Sequence, residues 1–549
     1  MVYSSLTLHV SDEAYLVVPD QLGGDKRIQA LKVRRDSGQL ELTAPVYPSL
    51  PQKEVFPVYG LFGLIQLQCG EYLVVITNRV RITELSGNII YRPTSFRILP
   101  LPRNLHALSE RQRNDEQTYV RLLEDHLRNN TFYVSYTYDL THSLQRQLSF
   151  GPQRMKPMWE RADERFFWNR FMCRKLIDGN NLIEGHDYSD FILPVVQGFM
   201  DSFHFRIHGQ ELQLTLMSRR SRHRAGTRYF SRGIDEDGHV SNYVETEQLI
   251  SVNPQTPGLS SSNGTVPTFH ASFVQTRGST PIYWAQINNL RYTPMLYIME
   301  EGGGQKSMQA LRKHLDEQID VYGNQVLVNL VNKRGYEHPM GIAYERTLLG
   351  LRDDRVQYTH FDFHHECKNL QWDRISLLLD QLDPSLKQHK YCLLDSSDAN
   401  QQKLVQTQTG VIRTNCMDCL DRTNVVQTAF GLHTLNAQLR DMRVLQPMET
   451  LDGYPDFLHL FRKLWADNAD ALSIPYSGTG ALKTDYTRTG ARTRQGTLQD
   501  GVNSLVRYLK NNFTDGRRQD AIDLITGNYE IVPGTTTPYA RDIPVDMRM

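Results

Sequence analysis

Residues 410–442 can satisfy their side chains in few ways. Gly410-Val411-Ile412 is short, apolar and β-branched, as a buried strand is. Further on, Val425, Ala429, Leu432, Leu439 and Met442 recur at helical spacing, with Val426 and Phe430 beside them. Between the two runs stands Arg413-Thr414-Asn415-Cys416-Met417-Asp418-Cys419-Leu420-Asp421-Arg422-Thr423-Asn424, with five residues separating Cys416 from Arg422. A strand, a tight loop and a helix in that order aim loop amides and a helix N-terminus at a bound anion.

That placement suits phosphoryl chemistry. A free cysteine has a pKa near ~8.5, so little of it is thiolate at neutral pH. The positive end of a helix, together with Arg422, favours the anion. Arg422 offers a planar fork that matches two phosphoryl oxygens, which a lysine does not. Cys416 would attack phosphorus and form a phosphocysteine that water later hydrolyses. Loop N–H groups would meet the charge on the equatorial oxygens, so the scheme calls for no metal and no other cofactor. The leaving oxygen needs a proton. Asp421, beside the arginine, is the first choice of general acid; Asp418 is the other loop carboxylate, and Asp362 is a carboxylate from outside the loop that could serve.

Read as Cys-Met-Asp-Cys-Leu-Asp-Arg-Thr-Asn, residues 416–424 resemble the signature of the Sac-domain phosphoinositide phosphatases. Other segments resemble the same family: Asn130-Thr131-Phe132-Tyr133 leading to Tyr138-Asp139-Leu140-Thr141, and Asp163-Glu164-Arg165-Phe166-Phe167-Trp168-Asn169. Arg224-Ala225-Gly226-Thr227-Arg228-Tyr229-Phe230 and Gln275-Thr276-Arg277-Gly278-Ser279 with Pro281-Ile282-Tyr283-Trp284 follow. Asn329-Leu330-Val331-Asn332, Phe361-Asp362-Phe363-His364-His365-Glu366-Cys367, Trp465-Ala466-Asp467-Asn468-Ala469-Asp470 and the stretch 476–484 complete the set. The likeness runs from about residue 50 to about residue 525 and is greatest to fungal, membrane-anchored members of the endoplasmic reticulum and Golgi.

The resemblance implies hydrolysis of phosphatidylinositol monophosphates, chiefly the 4-phosphate, at the cytosolic face of those membranes and without a metal. The partner it implies is a phosphoinositide lipid, with membrane-protein or adaptor partners besides. Cys416, Arg422 and Asp421 are the expected catalytic residues. Asn415, Met417, Asp418, Cys419, Leu420, Thr423, Arg228 and Lys483 are the expected substrate contacts. The resembled members carry C-terminal transmembrane helices, so the chain is expected to be the part ahead of such an anchor, with a soluble relative as the other reading.

Composition agrees without pointing there. Hydrophobic residues make up 40% of 549, ordinary for a chain that buries a core. The six cysteines show no paired framework, which fits a reducing, cytosol-facing compartment. Formal net charge is zero, so no global field draws the chain to nucleic acid or membrane. Locally, Arg219, Arg220, Arg222, Arg224, Arg228 and Arg232 lie together with no acid among them, as either a solvated face or a lipid-facing patch. Lys483, Arg488, Arg492 and Arg494 form a second basic cluster. No signal peptide and no apolar run of about 18 residues is present.

The expected fold class is an α/β catalytic domain carrying the cysteine loop between a strand and a helix, preceded by a β-rich α+β domain. The expected division is 1–188, 189–529 and a linker-like tail at 530–549. Strands are expected at 72–76, 88–91, 326–328, 356–358 and 391–394, and helices at 116–127, 163–176 and 372–382. Pro51, Pro57, Pro93, Pro100 and Pro102 mark edge strands and loops of the first domain. Residues 251–267 read as an excursion.

Several local patterns have blander readings. Cys416 and Cys419 form a Cys-x-x-Cys, with no second such pair to complete a zinc site; a reversible disulfide between them stays open. His364, His365, Glu366 and Cys367 read as strand-end residues rather than ligands. Gly478 and Gly480 before Lys483-Thr484 lack the spacing of a nucleotide loop. A tyrosine-type phosphatase on the same cradle, and a lipid-binding scaffold with a weak site, are the competing functions.

Overall fold

Successive residues of the apolar run at 326–328 face opposite layers: Val326 and Val328 enter one core cluster and Leu327 another. A strand covered on both faces requires that alternation. The computed structural model describes residues 2–531 except 21–28, 46–52, 103–108, 183–186, 254–268, 288–293, 300–303, 369–373, 397–401, 483–502, 505, 508–509, 512–513 and 530. Two compact units make up the chain: Met1–His142 with Phe150–Gln197 and Gly516–Asp542, and Ser143–Ser149 with Gly198–Asp515 and Ile543–Met549.

The first unit thus runs to Gln197 before the chain enters the second, and the helix Asp515–Thr526 lies almost wholly in the first. Ser143–Ser149 belong to the second, where the Leu144 amide donates to Glu247 at 2.8 Å and Gln145 exchanges two hydrogen bonds with Gln408. The expected excursion after Asn253, the cluster from Lys483 to Arg494 and most of the tail lie outside the described residues.

In the first unit, one antiparallel sheet runs in the order Leu40–Thr43, Ala30–Arg34, Ala14–Pro19, Leu6–Val10, Glu54–Val58, and another in the order Leu61–Leu67, Gly70–Leu85, Asn88–Pro100. Pro57, Pro93 and Pro100 fall in edge strands, where a missing N–H leaves no ladder bond unmade. The helix Glu110–Leu127 starts nearly two turns earlier than expected because Ser109 and Gln112 close a capping box. The helix expected at 163–176 is absent. Asp163 takes the Arg165 amide and guanidinium, and Asn169 binds the Phe62 and Leu193 carbonyls and the Val195 amide, so turns occupy 164–173 and a helix begins only at Arg174.

The second unit is a mixed sheet between helical layers. Its strands are β1 (Val196–Ile207, entering the unit at Gly198), β2 (Gln210–Arg220), β3 (Val244–Asn253), β4 (Phe269–Arg277), β5 (Asn324–Asn329), β6 (Val356–His360), β7 (Cys392–Asp395), β8 (Lys403–Gln406) and β9 (Gly410–Asn415). Their order is β6-β5-β9-β4-β3-β2-β1, with β7 on β4 and β8 on β7. Pairs β6/β5, β5/β9 and β9/β4 are parallel; the rest are antiparallel.

Helices α1 (Gln305–Tyr322) and α2 (His338–Leu351) pack on the face that Leu327 joins. On the Val326 and Val328 face lie α3 (Ile375–His389), α4 (Asp421–Asp441) and α5 (Pro455–Ser477). His364, His365 and Glu366 sit on a helical turn, Phe363–Glu366, beyond the end of β6, because the Asp362 carboxylate caps it through the His365 amide. Among the described residues no helix is long and apolar enough to cross a membrane, and no cluster of His, Cys, Asp or Glu suits a metal ion.

Candidate active site

β9 is buried at every residue and ends at Asn415, so the chain leaves the middle of the sheet directly into Cys416. Five residues later α4 begins at Asp421. Its N-cap is Leu420, whose side chain makes no cap hydrogen bond to the first turn. Cys419 takes a positive φ of 53°, a conformation that costs a non-glycine residue energy. It turns the Cys419 amide back onto Cys416 Sγ at 3.1 Å. The Cys416 amide donates to Cys419 Sγ at 3.4 Å, and the Cys419 thiol to the Gly278 carbonyl at 2.9 Å.

The two thiols are driven apart electrostatically. Burial pushes Cys416 up, yet hydrogen bonding from Cys419, the Arg422 charge and the Thr423 hydroxyl, 3.5 Å from Sγ, outweigh it and hold Cys416 below the ordinary thiol range. Burial and the neighbouring Cys416 keep Cys419 well above that range. Cys416 is therefore the sulfur that takes the charge, and Cys419 stays a neutral donor.

Asp418 is paired with two arginines. Its carboxylate bridges Arg228 at 2.9 Å and Arg232 at 2.7 Å. Burial works against its charge, but those two arginines hold its carboxyl well below the usual carboxylate range. Arg232 also donates to the Met417 carbonyl at 3.0 Å and the Tyr476 hydroxyl at 2.7 Å. Half of the arginines from Arg219 to Arg232 lie in the interior rather than on a solvated or lipid-facing surface, while Arg222, Arg224 and Arg228 keep partial exposure. Arg219 pairs with Glu245 and Glu247, Arg220 donates to the Gly226 carbonyl, and Arg232 braces the loop, all three buried.

The other expected contacts are placed as follows. Asn415 is buried and donates to Asn329 Oδ1 at 2.7 Å and Thr280 Oγ1 at 3.1 Å, which pins the strand end. The Met417 side chain enters the core cluster of α1 and α2, so its backbone alone faces the loop. Leu420, Cys419 and Thr423 are buried, and Arg228 is partly exposed. Asp421 Oδ1 accepts from the Leu482 amide at 2.7 Å, and Oδ2 lies 3.6 Å from Arg507. Asp362 accepts from the Lys333 amide at 2.8 Å. Lys483 lies outside the described residues.

The tertiary structure adds Glu337, which sequence reasoning missed: it grips Arg422 through both carboxylate oxygens. No local pattern around Glu337 distinguishes it from a surface glutamate. The separate motif segments do converge here. Asn332 donates its amide to Glu337 at 2.8 Å, Asn424 donates to the Trp465 carbonyl at 3.1 Å, and the Arg228 amide donates to the Tyr476 carbonyl at 3.0 Å.

Comparison with known proteins accords with this convergence. Residues 59–368 match the family described as the SacI homology domain. The chain is 42% identical over 500 residues to Phosphatidylinositol-3-phosphatase SAC1 of Saccharomyces cerevisiae, covering 90% of this chain and 76% of that protein. It is 40% identical over 538 residues to Phosphatidylinositol-3-phosphatase SAC1 of Drosophila melanogaster, covering 96% and 83%. Phosphoinositide phosphatase SAC6 of Arabidopsis thaliana is 36% identical over 532 residues, covering 96% and 84%. With those matches spanning both compact units, the chain belongs to the SacI homology family.

Proposed function

We propose that this chain is a phosphatidylinositol-phosphate phosphatase that hydrolyses phosphatidylinositol monophosphates, the 4-phosphate foremost, to phosphatidylinositol through a phosphocysteine on Cys416. The observation that carries the reading is the Cys416 thiol, held below its ordinary range at the mouth of a helix with no side-chain cap. Family membership supplies the lipid class. The yeast and fly relatives bear names for the 3-phosphate, whereas the sequence resemblance puts the 4-phosphate first.

In this scheme Cys416 Sγ forms a bond to phosphorus as the phosphorus–oxygen bond to the inositol breaks. Asp421 gives the departing oxygen its proton, since Asp418 is committed to Arg228 and Arg232. Water then cleaves the sulfur–phosphorus bond, releasing inorganic phosphate and the thiolate. First-turn amides and Arg422 supply the positive potential, so a metal has no part in the scheme. We place the enzyme at the cytosolic face of the endoplasmic reticulum and Golgi, where a membrane or adaptor protein could hold it.

The deciding experiment is phosphate release from each phosphoinositide isomer in vesicles, with EDTA present and Cys416→Ser as control. Fastest release from the 4-phosphate, undiminished by EDTA and lost in the variant, is expected. Loss in EDTA with recovery on adding a divalent ion would overturn the cysteine route. Preference for a phosphotyrosine peptide would overturn the substrate class.

A further inference from the structure

Arg277 is the last residue of β4 and sits opposite Thr414 in the parallel ladder, two positions ahead of Cys416. It is 1% exposed. Among the described residues its side chain makes one long hydrogen bond, Nη2 to Asn424 Oδ1 at 3.5 Å, and Nε and Nη1 have no partner. A buried guanidinium ordinarily has a carboxylate against it, because an uncompensated charge in the interior is costly. Arg219 and Arg232, equally buried, follow that rule with Glu245, Glu247 and Asp418. Arg277 has no carboxylate among the described residues.

What Arg277 has instead is the cysteine loop. The next residue, Gly278, accepts the Cys419 thiol, and Asn424 follows Thr423, whose hydroxyl reaches Cys416 Sγ. Gln275 and Gln427 lock this end of β4 to α4, each side-chain amide donating to a carbonyl on the other element. Burial pulls the Arg277 guanidinium down, to about 10, and the sulfurs of Cys419 and Cys416 are the groups that raise it. It remains a cation at neutral pH.

The other charges around Cys416 are already engaged. Arg422 on α4 is held by Glu337, and Asp421 meets Leu482 and Arg507. Asp418 in the loop is held by Arg228 and Arg232. Arg413 on β9 donates to the Ser279 carbonyl and to His314 on α1.

We propose that Arg277 is a positioning residue of this site, the buried counter-charge of the Cys416 thiolate, set behind the loop while Arg422 meets the phosphoryl group. The proposal rests on Cys416 being the nucleophile. Loss of the Cys416 proton to solvent gives the lone guanidinium its missing anion, so the two groups favour one another's charge.

The test is the pH dependence of Cys416 alkylation by iodoacetamide, read from the mass of the Cys416 peptide in the whole chain. It does not depend on turnover, so it is separate from the phosphate-release assay: a chain that alkylates as expected but releases no phosphate fails the enzymatic reading alone. Arg277→Met keeps the aliphatic stem and removes the charge. Its alkylation midpoint is expected to rise by about 1–3 pH units, with the same shift in the acid limb of kcat/KM. Arg277→Lys keeps a cation and is expected to fold and to alkylate near the wild-type midpoint. A folded Arg277→Met with an unmoved midpoint overturns the proposal. So does an Arg277→Lys variant that fails to fold or alkylates like a free thiol, and this arm decides the matter if the methionine variant does not fold.

Discussion

Arg422 and Glu337 hold each other through two parallel hydrogen bonds, Nη1 to Oε2 at 2.8 Å and Nη2 to Oε1 at 2.7 Å. The side chains are 12% and 11% exposed. Nη1 also donates to the Leu330 carbonyl at 3.0 Å. The arginine expected to clamp a phosphoryl group is thus fixed in direction by a carboxylate that is itself anchored to the Asn332 amide. A phosphoryl dianion entering the loop would meet a guanidinium whose rotamer entropy is already spent.

This pair makes the first prediction. Glu337→Gln and Arg422→Gln should each destabilise the chain, by at most about 3–5 kcal/mol, because each leaves one charge buried without its partner. The double variant should cost clearly less than the two losses added. Denaturant unfolding of the four proteins measures the coupling, and strictly additive losses would show that the pair is energetically idle.

Cys416→Ser should abolish phosphate release and leave headgroup binding nearly intact, since a poorly nucleophilic hydroxyl replaces one sulfur. Turnover and equilibrium binding to phosphoinositide vesicles give the two readouts. Substantial residual turnover would rule out a thiolate nucleophile.

Asp418 makes stability depend on pH. Its folded carboxyl lies below its unfolded value, so it contributes stability that is fully present above the unfolded carboxylate pKa of ~3.9 and lost as pH falls through the folded value. Asp418→Asn should therefore be less stable than wild type at neutral pH, and the gap should close in strong acid. Melting temperatures of both proteins across acid pH check this; a gap that stays constant would place the loss elsewhere.

The loop acids separate by leaving group. If Asp421 protonates the inositol oxygen, Asp421→Asn should slow release from a lipid alkoxide by about 10²–10⁴-fold and from a nitrophenyl phosphate far less. Asp418→Asn should slow both alike, because its carboxylate braces Arg228 and Arg232. Equal losses on both substrates for Asp421→Asn would move the acid role to another carboxylate.

Local pattern was enough for what local physics controls. The strand Gly410–Asn415, the loop and the helix Asp421–Asp441 were legible because β-branched residues, then helical spacing, flank the cysteine. Edge-strand prolines were legible because a missing N–H has a single geometric consequence. The broken helix at 163–176 was not, since the bonds that unmake it come from Asn169 to Phe62 and Leu193.

The support of the site was decided by tertiary structure alone. Glu337 lies 85 residues from Arg422, Arg232 lies 185 from Met417, and Arg228 lies 190 from Asp418. No spacing rule joins residues so far apart, and an arginine-rich run looks the same in sequence whether solvent or buried carboxylates await it. Sequence by itself determined which sulfur stands between a buried strand and a helix carrying Arg422; the folded sheet, by bringing β4, β5 and the 224–232 segment to that point, decided which charges stand around it.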